Sequence, residues 1–154
     1  MGLERAPGGR VDRSFFYRGD GASGFFERDG SPRKKFFVYK ALARMLETPV
    51  RLDAQGADTR GFVVLAGRSE KGGEVHLLLA NYRIPSQTYR DNAGYSIAVS
   101  HLPWGAAKFE VKRYRVTATE SLTEIDDGIK EGDSFTATES LPAPAVELIV
   151  LKRL

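Results

Sequence analysis

The chain has 154 residues, 42% of them hydrophobic, enough for one domain of ordinary size with a real core. Lys and Arg number 23 against 20 acids, and a net charge of +3 is too small to imply a nucleic-acid partner. With no cysteine there is no disulfide, thiolate nucleophile or zinc finger, and no stretch approaches the roughly 20 apolar residues of a membrane span.

In chain order, residues 1–10 are glycine, proline and charge and read as a frayed end, without the apolar run of a signal peptide. A soluble chain of open compartment is expected. Val11 to Tyr17 fits a short strand, followed by glycine-rich turns as far as Gly30. Ser31 can cap a helix and Pro32 can occupy its first turn. The spacing of Phe36, Phe37, Tyr39, Lys40, Leu42, Ala43 and Leu46 then predicts a helix that Thr48-Pro49 stops.

After Pro49 the period becomes alternating. Strands are predicted near 50–54, 61–67, 74–81, 95–101, 109–117, 121–126, 133–138 and 145–152, with turns at Ala57-Asp58, Lys71-Gly72-Gly73, Asp126-Asp127-Gly128 and Glu131-Gly132-Asp133. In 109–117, Phe109 and Val111 fall out of phase with Tyr114 and Val116, which predicts an extra residue near Lys112 or Arg113. Val146 to Leu151 is apolar on both faces and should be a central strand. The fold class is therefore mainly β: an antiparallel β-sandwich of about seven or eight strands (50–154), preceded by an arm (1–49) of one strand and one α-helix.

Few residues suggest chemistry. His76 and His101 fall in different strands without a carboxylate at ligand spacing, so no metal site and no cofactor is expected. Asp126-Asp127-Gly128 lacks the spacing of a calcium loop, and no nucleophile-elbow or phosphate-loop pattern occurs. Tyr82, Tyr89, Tyr95 and Trp104 lie in or beside the long segment 81–105 and are the candidates for stacking on a sugar ring; the alternative is that such rings close the sandwich core.

Several phrases, in order, carry a family likeness: Phe25-Phe26-Glu27-Arg28-Asp29-Gly30-Ser31-Pro32-Arg33-Lys34 into Tyr39-Lys40-Ala41-Leu42, then Leu79-Ala80-Asn81-Tyr82, Leu102-Pro103-Trp104, Arg113-Tyr114-Arg115-Val116 and Val146-Glu147-Leu148-Ile149. Together they resemble the C-terminal part of glycoside hydrolases of the family 39 kind, the β-xylosidase-like enzymes of clan A. The resemblance implies that 12–18 correspond to the eighth strand of a (β/α)8 barrel, 31–47 to its eighth helix and 50–154 to the accessory sandwich. It places Gly19 to Gly30 in a loop on the face where such barrels hold their sites.

A complete barrel takes roughly 250 residues, and retaining enzymes use two carboxylates about 5–5.5 Å apart. The family's acid/base glutamate follows asparagine and precedes proline, yet Asn81 precedes Tyr82 and Asn92 precedes Ala93. Glu27 and Asp29 match no catalytic position, so no catalytic residue is assigned. The expectation is a non-catalytic sandwich module of a retaining glycosidase that supports or completes a barrel. The alternatives are a free-standing carbohydrate-binding module and a glycosidase site assembled between chains. Expected partners are a catalytic barrel, a second copy in a homodimer, and carbohydrate, with no nucleic acid and no membrane.

Overall fold

A computed structural model describes the backbone of 3–5 and 11–14, Gly19, and residues 23–82 and 91–154. Two compact units divide between Phe36 and Phe37. In the first, β1 (Leu3–Arg5) pairs antiparallel with β2 (Val11–Ser14), so residues expected to fray supply β2 with one of its ladders. Further on, the Asp29 carboxylate accepts from Ser31 N (2.9 Å) and Oγ (2.7 Å), and Phe26 bridges to Pro32. Ser31 and Pro32 are thus held in a turn, and the helix α1 (Lys34–Arg44) starts after them, where sequence reading had placed Pro32 inside its first turn.

Among its described residues the second unit contains eight strands, all paired antiparallel. β3 (Val50–Arg51), β4 (Phe62–Arg68), β5 (Glu74–Asn81), β7 (Ala107–Val116), β8 (Ser121–Gly132) and β10 (Ala145–Arg153) form one sheet in the order β3-β4-β5-β10-β7-β8. β6 (Asn92–Val99) and β9 (Phe135–Pro142) make a separate two-stranded ribbon. Leu77, Leu79, Phe109, Val111, Ile149 and Leu151 of the large sheet pack with Ala93, Tyr95, Phe135 and Leu141 of the ribbon, which is the sandwich core. On the sheet's other face Leu78, Val116, Leu148 and Val150 pack with Ala41 and Met45. The helical residues buried there are Ala41 and Met45, beside Phe37 and Val38, while Leu42 and Leu46 of the predicted stripe are exposed. The apolar face is therefore rotated from the one the spacing suggested, because the small Ala41 lets the helix lie close to the sheet.

Both faces of β10 are buried and it sits between β5 and β7, as the sequence pattern predicts. Both faces of β7 are buried too: Phe109 and Val111 look into the sandwich, Tyr114 and Val116 toward the helical side. This explains the phase change without an extra residue in β7, which pairs with β10 in unbroken register. The bulges lie opposite, in β8. Arg113 pairs with Asp126 and Tyr114 with Glu124, passing over Ile125; Arg115 pairs with Thr123 and Val116 with Ser121, passing over Leu122, whose φ is 59°. β8 also runs straight through Asp126-Asp127-Gly128, so the turn predicted there is absent and the strand continues to Gly132. As an edge strand it needs neither face apolar, and its ladder with β7 holds it.

Candidate functional site

Glu147 of β10 lies in the middle of an apolar strand and is 0% exposed. Ionised there, it needs every lone pair matched. Arg113 and Arg115, two apart on one face of β7, supply most of the match. Arg113 donates to Oε1 from Nε (2.8 Å) and Nη2 (2.6 Å), and Arg115 to Oε2 from Nε (3.1 Å) and Nη2 (2.7 Å). The Tyr95 hydroxyl donates to Oε1 (2.9 Å) and accepts from Arg113 Nη2 (3.0 Å). Arg113 Nη1 reaches outward to Glu139 (3.1 Å) and Asp126 (3.7 Å). Burial, and next the Glu147 charge, push the Tyr95 phenol far above its ordinary value, so it remains a donor. Burial alone would lower Arg113, but Glu147 outweighs it and keeps the guanidinium charged. The network ties ribbon to sheet, and Asn81 adds a second tie by donating Nδ2 to the Leu141 carbonyl (2.9 Å).

Beside Tyr95, a cleft of about 680 Å³ opens between β4 and β6. Its floor is apolar, with Phe62, Val64 and Leu77, and its rim holds Gln55 and Ser96. Among the described residues of its lining, Asp53 is the one carboxylate, half of what glycoside hydrolysis by paired acids requires.

Of the four aromatic candidates, Tyr89 lies outside the described residues. Tyr82 is 44% exposed just past β5. Tyr95 is buried, stacked on Phe62 with centroids 6.0 Å apart, and Trp104 is buried against Phe109 at 5.6 Å. The structure thus puts Tyr95 and Trp104 in one core and leaves Tyr82 outside it. Sequence reading missed Arg113, Arg115 and Glu147. The signal was available: a glutamate inside a strand read as central, and two arginines one period apart.

No family model and no curated protein matches the chain. Among solved structures, a glucosidase from Croceicoccus marinus aligns with a TM-score of 0.77 and 29% identity over 86% of this chain and 34% of that one. The GH39 enzyme from Xanthomonas axonopodis pv. citri aligns with a TM-score of 0.63 and 13% identity, covering 85% and 32%. A GH30 endoxylanase from Clostridium papyrosolvens C71 gives 0.57 and 19%, covering 82% and 29%. The fold is one found within glycoside hydrolases, and the chain spans about a third of the length of these enzymes. Among the described residues, no helix is long and apolar enough to cross a membrane.

Proposed function

We propose that this chain is the C-terminal sandwich portion of a retaining, β-xylosidase-like glycoside hydrolase, and that it supports or completes a catalytic barrel without cleaving glycosides itself. The observation that carries this reading is the alignment of 86% of the chain with one third of a glucosidase at a TM-score of 0.77. Two features agree with it. The buried arginine–glutamate–tyrosine network makes the sandwich a rigid support, and the outward side of α1 and its following 3₁₀ turn (Met45–Glu47) carries Leu42 and Leu46, the latter 80% exposed, as apolar contacts for a barrel. Glu47 and Glu74 do approach one another, but each is ion-paired, with Arg44 (2.7 Å) and Lys152 (2.9 Å). Partial burial raises the Glu74 carboxyl, yet the hydrogen bond and charge of Lys152 outweigh it and hold the carboxyl below its ordinary value, the reverse of what a general acid needs.

The test is hydrolysis of aryl xylosides and glucosides. The purified chain should give no rate above buffer, and activity should appear when it is combined with a barrel encoded beside it. Turnover by the chain alone, abolished by Glu27→Gln or Glu74→Gln, would overturn the reading.

A further inference from the structure

Strand pairing and the 3₁₀ turn bring together three side chains that lie far apart or on alternate positions in the sequence. His76 of β5 is wholly buried. Its Nδ1 stands 3.0 Å from the Arg44 carbonyl oxygen, an atom that can only accept, so Nδ1 carries the proton and Nε2 of the neutral ring presents a lone pair. That Nε2 makes no hydrogen bond, and Glu74 Oε2, a second acceptor, is 3.5 Å away. Glu74 is two residues earlier in the same strand and so on the same face. Glu47 of the 3₁₀ turn completes the group, with one ligand atom from each residue within 4.8 Å of the others. The buried Nε2 lone pair therefore faces a second acceptor, and the two repel unless something positive lies between them.

We propose that His76, Glu74 and Glu47 form a binding site for a divalent transition metal of the zinc type. Tetrahedral zinc ligands at roughly 2.0–2.1 Å from the ion stand about 3.4 Å apart, close to the His76–Glu74 separation of 3.5 Å. A ring whose other nitrogen donates to a backbone carbonyl is already oriented and locked in the ligating tautomer. The nitrogen donor selects zinc over magnesium or calcium, which take oxygen ligands. Glu74 Oε1 is held by Lys152 Nζ and Glu47 Oε1 by Arg44 Nε, leaving the second oxygen of each for the ion. Glu47 and Glu74 line one surface depression, from which water completes the coordination. Arg44 and Lys152 partly neutralise the carboxylates beforehand, which weakens their pull on the ion, and the ion clamps the end of the helical segment to β5.

The site stands independently of the glycosidase reading and is tested on the untagged full chain with ZnCl₂. Calorimetry should give one equivalent bound in the micromolar range, and nitrogen-15 spectra should show the His76 Nε2 resonance moving while exposed His101 stays still. Glu74→Gln should weaken binding by about ten-fold or more. Lys152→Met, which removes a competing cation and no ligand, should tighten it. Magnesium should displace nothing. Zinc that fails to bind, that moves His101 instead, or that binds Glu74→Gln and Lys152→Met like the parent chain would overturn the proposal.

Discussion

Replacing Glu147 by Gln keeps the shape of the side chain and removes its charge, leaving two guanidinium groups around a neutral amide. The carboxylate accepts from five donors, one on Tyr95 and two each on Arg113 and Arg115, and none of its surface is exposed. Removing one partner of a buried ion pair costs about 3–5 kcal/mol. Glu139 and Asp126 remain beside Arg113, and Arg115 keeps some access to solvent, which places the change at the lower end, about 3 kcal/mol. At about 2–4 °C per kcal/mol for a chain of this size, the melting temperature should fall by roughly 10 °C. Urea unfolding followed by far-ultraviolet circular dichroism measures this directly. A variant with Glu147→Leu, Arg113→Met, Arg115→Met and Tyr95→Phe together should lose less than Glu147→Gln alone, since no uncompensated charge remains. A loss below about 1 kcal/mol in Glu147→Gln would refute the reasoning, because it would mean that solvent already reaches the arginines.

Tyr95→Phe deletes one donor and one acceptor from the same network and should cost about 1–2 kcal/mol in urea titrations. Because folding raises the Tyr95 pKa, the native state holds its proton where the unfolded chain has lost it; stability is therefore intact below about pH 10 and declines above it, and Tyr95→Phe should flatten that decline. Gly61 has φ +106°, and a Cβ there would fall on the Tyr82 carbonyl oxygen, so Gly61→Ala should destabilise by at least about 2 kcal/mol in thermal melts, whereas Gly94→Ala, with open space around it, should cost far less. Trp104 emission should not change on titration with xylo-oligosaccharides to millimolar concentration, since its indole packs on Phe109 in the core.

The apolar strands were the legible part of the fold. The Val146–Leu151 run declares a central strand, and Lys71-Gly72-Gly73 declares the β4–β5 hairpin, because burial and positive φ leave marks in residue type. β8 left no such mark. An edge strand held by its ladder with β7 tolerates Asp, Gly and Lys along its length, so its middle looked like a turn. Two buried faces on β7 imitate a phase slip, so the residue pattern points to a bulge in β7 while the register puts it in β8. The helix misled for a similar reason, as Ala41 carries little hydrophobic weight in a sequence yet is the residue that permits close packing. The ionic network and the Glu47–Glu74–His76 group depend on strand register and on a turn that folds back onto the sheet, and neither is written in local spacing.

The placement of β10 has a consequence for biosynthesis. Residues 50–81 and 107–132 leave the ribosome as two wings whose facing borders, β5 and β7, are both apolar and both lack a neighbour until residues 145–153 emerge and fill the gap. A nascent chain paused before codon 145 therefore carries two adhesive seams at once, and slow translation at that point would favour clumping over maturation.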